Sequence, residues 1–383
     1  MKVLNILISV HLDKRNFHKL GFKAYLKFFD KIKIFFIDEG YSFKKDKVFY
    51  HKKIEIIKID NLIKLFELFN EKKNSLYLDF TLDGYKTTII KAILYFKKNK
   101  RVIFKLGNYP RLFNVKKKIF PISINKIIQI LKSKFYQLLE RKFFSKNNIY
   151  ICGGKKFENE YKKFNIINAH SWDYNNILNK KKNHIKKNNY FLYLDQYAHG
   201  HPDYSYFKLN KIDPKTFYDS LNSFFNQLEK RFQKKIIIAA HPKANKNSYM
   251  YKKKSYFKGR DIYFDSTMNL AQNCFATLSH DTTAISYSVI CKKPIIFIVN
   301  NEMLRIKTNR ENEIRVFAEE LGSYFINIDI KNYLKNVARH ISSINKKKYK
   351  KYFIDYIKNK KNNKNKRIDK IICELHTKTV NKF

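Results

Sequence analysis

The sequence predicts an α/β protein of two Rossmann-like domains facing a central cleft, followed by a basic helical tail. The chain has 383 residues, 44% hydrophobic and 16% aromatic, enough for two ordinary cores and too apolar for disorder. Short apolar runs rich in Ile, Val, Phe and Tyr alternate with lysine-rich amphipathic segments, the pattern of buried parallel strands joined by helical crossovers. One long polar stretch interrupts the alternation and splits it into two halves.

The first half, residues 1–168, carries the runs VLNILISV (3–10), IKIFFID (32–38), IEIIKI (54–59), SLYLDF (75–80), RVIFKL (101–106) and NIYICGG (148–154). The opening run has no small-residue cleavage site and turns polar at His11, so it reads as a first strand and not as a signal peptide. Residues 169–189, rich in Asn and Lys, form the expected linker. The second half, 190–331, resumes with YFLYLDQ (190–196), KIIIAAHP (235–242), DIYFD (261–265), CFATLSH (274–280), KPIIFIVN (293–300) and YFINID (324–329). A helix is expected over 214–232: Asp213 can cap it, Pro214 suits its first position, and Phe217, Leu221, Phe224, Phe225 and Leu228 share one face. Residues 332–383 are helical and then strongly basic, either a solvated helix with a frayed end or a membrane-surface contact with Tyr352, Phe353, Ile354 and Tyr356 among the lysines.

The formal charge of +48 raises a nucleic-acid reading, since clustered cations release counterions from a phosphate backbone. Only eleven of the 80 basic residues are arginine, however, the residue that base-edge and bidentate phosphate recognition favours. Lysine also travels with Asn, Ile, Phe and Tyr, as an AT-rich genome would produce, so compositional drift is the preferred explanation. A basic face on anionic lipid is the intermediate reading, and would suit an enzyme with a membrane-bound acceptor. Cys152, Cys274, Cys291 and Cys373 are widely spaced and without a CxxC pair, which suits a reducing cytoplasm. No window approaches the length of a membrane span. Neither GxGxxG after a strand nor GxxxxGK[ST] occurs, so two familiar phosphate cradles are missing.

Chemistry concentrates at three strand ends of the second half, where a parallel sheet keeps its ligands. After YLDQYAHGHPDYSYF begins, Asp195 and Gln196 follow an apolar run, with His199, His201 and Asp203 beyond. Asp195 can be a general base, can orient a hydroxyl, or can simply cap the turn shaped by Gly200 and Pro202. The His/His/Asp group lacks a helix to present it as metal ligands, so no metal is expected. In AAHPKANK, Pro242 holds His241 extended at the strand tip, where its imidazole can donate to a phosphate with Lys243 adding charge. In ATLSHDTTAISYS, the residues Ser279, His280, Asp281, Thr282 and Thr283 precede a helix whose first N–H groups can hold an anion; simple capping is the alternative.

With those elements in that order, the second half resembles the GT-B glycosyltransferases of bacterial surface-polysaccharide loci, in particular sialyltransferase-like and Kdo-transferase-like enzymes that use CMP-activated ulosonic acids. AAHPK and SHDTTAISYSVICKKPI look like that family's HP motif and Ser/Thr pair over residues 190–300, whereas the first half matches in architecture alone. The resemblance implies a GT-B fold, a donor site using His241, Ser279, Thr282 and Thr283, and transfer of a CMP-linked sugar to a glycan or glycolipid hydroxyl in capsule, lipooligosaccharide or O-antigen synthesis. It also implies a D/E-D/E-G motif carrying the base; IDEGYSF supplies Asp38, Glu39 and Gly40, with Asp83 of TLDGYKTT and Asp195 as rivals.

The expected reaction needs neither cofactor nor metal, because His241, Thr282 and Thr283 supply donors to the departing phosphate while a carboxylate deprotonates the acceptor. The expected location is the cytoplasm, with a peripheral place on the inner face of its membrane as an extension. A UDP-sugar or CDP-polyol donor is the alternative inside the fold. From other classes, a lysine-rich nucleic-acid-binding protein and a non-enzymatic scaffold remain, the latter with no use for three polar strand tips.

Overall fold

The computed structural model describes residues 1–9, 17, 20–37, 51–61, 75–81, 84–107, 110, 131, 134–140, 142–178, 190–200, 211–242, 244, 251, 255–306, 310–330, 332–362 and 364–380. The chain divides into two units, one of residues 1–107, 118–178 and 358–383, the other of 108–117 and 179–357. Expectations resting on Asp38, Glu39, Gly40, Asp83, His201, Pro202, Asp203 and Lys243 lie outside the described residues.

The first unit is built on seven parallel strands: β1 (Val3–Ile8), β2 (Lys31–Ile37), β3 (Ile54–Ile59), β4 (Leu76–Phe80), β5 (Lys100–Lys105), β6 (Asn148–Gly153) and β7 (Asn165–Ala169). Their order is β3-β2-β1-β4-β5-β6-β7. All six runs expected from the sequence are strands. The seventh, NIINA, escaped because it is an edge strand with one exposed and three half-buried residues, so Asn165 and Asn168 are tolerated where a central strand would exclude them. Helices α1 (Phe22–Phe28), α2 (Tyr85–Phe96), α3 (Lys155–Tyr161) and α4 (Trp172–Ile177) belong to this unit. Thus 169–178, polar enough to read as linker, holds the last strand residue and a helix whose Ser171 accepts from the Tyr174 N–H at 3.3 Å.

The second unit has six parallel strands: β8 (Tyr190–Leu194), β9 (Lys235–Ala239), β10 (Ile262–Tyr263), β11 (Ala276–Ser279), β12 (Ile295–Val299) and β13 (Tyr324–Asn327), in the order β10-β9-β8-β11-β12-β13. Every residue of β8, β11 and β12 is buried, as covered parallel sheets require. The helix expected over 214–232 is α5 (Pro214–Phe232); Asp213 Oδ2 accepts from the Thr216 N–H at 2.7 Å, and Phe217, Leu221, Phe224, Phe225 and Leu228 are fully buried. The further helices are α6 (Thr267–Asn273), α7 (Ile285–Ile290), α8 (Asn301–Ile306), α9 (Arg310–Leu321), α10 (Leu334–Ile341) and α11 (Lys346–Tyr352).

The described residues of the basic tail are largely helical and packed, not a frayed end. Tyr352 and Tyr356 are buried in the second unit, and Tyr349 donates to the Lys293 carbonyl at 3.0 Å, so these tyrosines serve a core, while Phe353 and Ile354 are half-buried. Helix α12 (Ile368–Val380) then returns to the first unit. There Ile368, Ile371 and Ile372 join the core that contains Leu4, Ile6, Phe22 and Tyr25. His376 Nε2 bonds the Val3 carbonyl at 3.1 Å.

Candidate active site at the carboxyl edge of the second sheet

Chain order places a topological switch in the second sheet: from β8 the chain builds outward through β9 and β10, then crosses to β11 on the other side. Ligands of open α/β sheets bind at the carboxyl ends flanking such a switch. Asp195 and Gln196 follow β8, His241 follows β9, and His280 to Thr283 follow β11, so all three polar edges of the sequence converge there.

Asp195 is the hub. It is 5% exposed, and its carboxylate accepts from the Tyr251 hydroxyl at 2.5 Å and the Tyr197 N–H at 3.0 Å. Backbone N–H groups of His241 and Gln196 bond it as well. Burial pushes the Asp195 carboxyl above its ordinary pKa, and these four donors work against that rise. Four donors match the roughly four lone-pair sites of an ionised carboxylate. To act as a base, Asp195 would have to release one of them.

His241 is half-buried and Pro242 is exposed. The backbone of the HP pair is held on both sides: the Ala240 N–H bonds the Tyr263 carbonyl at 2.9 Å, and the Ala244 N–H bonds the His241 carbonyl at 2.8 Å. Together with the bond from its own N–H to Asp195, this fixes the imidazole's point of attachment at the strand tip.

The third edge is less uniform than its sequence. Ser279 is fully buried and donates to the His280 carbonyl at 3.0 Å. His280 is 1% exposed, with Nδ1 2.6 Å from the Ile298 carbonyl and Nε2 2.9 Å from the Tyr193 hydroxyl. A carbonyl only accepts, so Nδ1 carries the proton and Nε2 receives the Tyr193 bond; neither nitrogen is left for a ligand. The physical reason is that β11 is central, so its last side chains turn into packing against Tyr193 and Phe217. Asp281 accepts from Gln196 Nε2 at 3.2 Å, tying this loop to the one after β8. Helix α7 has only six residues, and the N–H groups of Ala284, Ile285 and Ser286 bond Thr282 and Thr283. The donors expected for an anion are thus committed locally; what the edge presents are half-buried Thr282 and exposed Thr283.

Several residues of this edge escaped sequence reasoning. Tyr251 lies in a polar stretch without periodicity. Tyr197 holds a left-handed backbone, φ 53°, with its N–H on Asp195, a conformation non-glycine residues adopt rarely and often near sites. A Cβ on Gly200 would fall 2.3 Å from Tyr197 Cζ, so glycine is required where that ring lies. His199 bonds the Tyr218 hydroxyl at 3.2 Å, and burial lowers its pKa. A glycine three residues after a tyrosine was the available signal. Among the described residues no three His, Cys, Asp or Glu side chains converge as a metal site.

No family model matches the chain, and no curated protein matches it. Solved structures do. The wall teichoic acid polymerase TagF is similar over 99% of this chain and 89% of its own, with 10% identity and a TM-score of 0.58. A TagF variant soaked with CDPG gives a TM-score of 0.52 at 10% identity over 100% of this chain and 89% of that one. UDP-GlcNAc 2-epimerase from Methanocaldococcus jannaschii gives 0.50 at 14% identity over 90% and 94% of the two chains. At these identities the likeness defines the fold: two Rossmann-like α/β domains of GT-B type.

Proposed function

We propose that the protein is a glycosyltransferase of surface-polysaccharide synthesis that binds a nucleotide-activated donor at the carboxyl edge of its second sheet. The observation that carries this is the fixed HP turn: His241 stands at the tip of β9 beside the topological switch, its backbone held by buried Asp195. In the reaction an acceptor hydroxyl oxygen attacks the anomeric carbon, the bond from that carbon to the donor phosphate oxygen breaks, and the nucleotide leaves with the electron pair. His241 donates to the phosphate as charge develops, with the Thr282 and Thr283 hydroxyls as further donors. Asp195 acts through His241 as a positioning residue. A carboxylate takes the proton of the acceptor hydroxyl, Asp38 and Glu39 being the candidates that the sequence motif offers, and the step needs no metal. Glycolipid acceptors and a peripheral place on an anionic membrane belong to the same reading.

The donor most consistent with the HP and Thr pair is CMP-linked, a nonulosonic acid or Kdo. The likeness to TagF, one structure of which was soaked with CDPG, supports a second reading, a CDP-polyol donor; the likeness to a UDP-GlcNAc epimerase supports a third, a UDP-sugar. Transfer from a CMP-sugar or a CDP-polyol releases CMP, so one measurement divides cytidine from uridine donors. Thermal unfolding with CMP, UDP and UDP-GlcNAc should show the largest rise with CMP, about 2.7 kcal/mol of stabilisation at one hundred times Kd. A larger rise with UDP would move the donor to the uridine class, and no rise with any nucleotide would overturn the transferase reading.

A further inference from the structure

Residues 358–367 read KNKKNNKNKR, without one apolar side chain to bury. The chain enters the first unit at Lys358 and reaches that unit's apolar core only at Ile368, so polar and charged contacts must hold the stretch between. Asn359 is the anchor. It is 1% exposed, and its Nδ2 donates to Asn168 Oδ1 on the edge strand β7 at 2.9 Å and to Glu158 Oε2 at 3.1 Å. Its Oδ1 accepts from the Lys361 N–H at 2.8 Å. Its own N–H donates at 3.3 Å to Nδ1 of His170, the residue that follows β7.

A backbone N–H only donates, so His170 Nδ1 carries no proton and the neutral ring keeps its proton on Nε2. The side chain is 1% exposed, and Nε2 is buried without a hydrogen-bond partner. Protonation would set a new N–H against the Asn359 N–H and leave a buried cation with no acceptor. The surrounding groups do not offset this. From the C-terminal stretch, Lys358 adds a like charge, its Nζ 5.7 Å from the ring of Tyr174; Tyr174, on α4, packs edge-on against His170 at 4.8 Å. Glu158, on α3, is already engaged by Asn359 and by Lys361 Nζ at 2.5 Å. Burial first, then Lys358, lowers the His170 pKa from 6.5 to about 4, against a smaller opposing pull from the Asn365 side chain.

We propose that His170 is an acid-sensitive latch for the C-terminal return of the chain: neutral, it accepts the Asn359 N–H and holds residues 358–367 on the first unit; protonated, it releases them. The latch is independent of which donor the second unit binds. A released imidazole binds its proton more tightly than a latched one, so the latched state is fully favoured above pH 6.5 and loses ground from there down to about pH 4. Opening takes up one proton, and the opening equilibrium should rise up to about tenfold per pH unit inside that window and level off below it.

The test is hydrogen exchange of the full chain, read by mass spectrometry from about pH 7 to about pH 4 and corrected for the intrinsic pH dependence of exchange. Protection of the peptide containing Asn359 should fall by up to about tenfold per pH unit, whereas that of α12 around fully buried Ile372 should not follow it. His170→Asn offers the Asn359 N–H an amide oxygen that does not titrate, so protection there should stay level across the window. Glu158→Gln should keep the wild-type slope, and together with wild type it decides the matter even if His170→Asn fails to fold. Equal slopes at Asn359 and Ile372, a slope that survives His170→Asn, or one that disappears in Glu158→Gln would each overturn the proposal.

Discussion

At the residue scale, the Asp195 knot makes the sharpest demands. Tyr251→Phe removes a charge-assisted hydrogen bond to a buried carboxylate and should cost about 1.5–3 kcal/mol in urea denaturation. Turnover should fall along with it, because the His241 N–H shares that carboxylate. His241→Ala should instead leave stability within about 0.5 kcal/mol and abolish stabilisation by CMP. If the two variants traded these effects, the division between positioning and binding residue would be wrong. The sequence made His241 and Asp195 legible because both directly follow apolar runs. Tyr251 was illegible, since its partner is 56 residues away and nothing local marks it. His280 carries the opposite lesson: a polar residue past a strand can be core when the strand is central, and its two ring nitrogens close on Tyr193 and Ile298.

At the element scale, the strongest internal device is the charge cluster beneath β4 and β5. Arg101 is 2% exposed and lies between Asp79, at 3.1 Å, and Glu140. Burial alone would raise the Asp79 carboxyl, but Arg101, Lys91 and the bonds from Thr81 outweigh it and hold the group below its ordinary pKa. A depressed folded pKa stabilises above the unfolded value and is lost as pH falls through the folded one. Asp79→Asn should therefore flatten the acid limb of stability against pH, at a cost near neutrality below the about 3–5 kcal/mol of stranding a buried charge, because Glu140 still pairs with Arg101. An unchanged acid limb in pH-dependent unfolding would discount the pair. Helix α12 makes a second demand: Ile372→Ala should cost about 2–5 kcal/mol, since Ile372 is fully buried in the first unit's core. Lysine-rich composition hid that helix from sequence reading, although Ile368, Ile371 and Ile372 already stood at helical spacing.

At the scale of the whole molecule, the charge of +48 sets how the chain meets polyanions. Binding to DNA or RNA should be weak near physiological ionic strength and fall steeply with salt, without sequence preference, whereas stabilisation by CMP should persist. Nucleic-acid affinity that survived 0.5 M salt, paired with no response to CMP, would favour the nucleic-acid class over the transferase. Activity should also survive EDTA; strict dependence on a divalent cation would sink the metal-free mechanism. The basic C-terminus is divided between the two units, the division falling between Ile357 and Lys358.

The sequence by itself determined every described strand but the edge strand β7, the capped helix after Asp213, and the two-domain α/β class. Each of these depends on local burial: a strand covered on both faces must be apolar along its length, and a helix start must satisfy its own N–H groups. Only the tertiary structure decided which strand ends work together. The order β9-β8-β11 brings Gln196 to Asp281 across 85 residues and turns three weak motifs into one edge. It also turned Ser279 and His280 inward and left the His241-Pro242 turn at the strand tip. Long-range packing sets those directions, because a side chain past a strand follows the neighbours it meets and not the spacing of the chain that carries it.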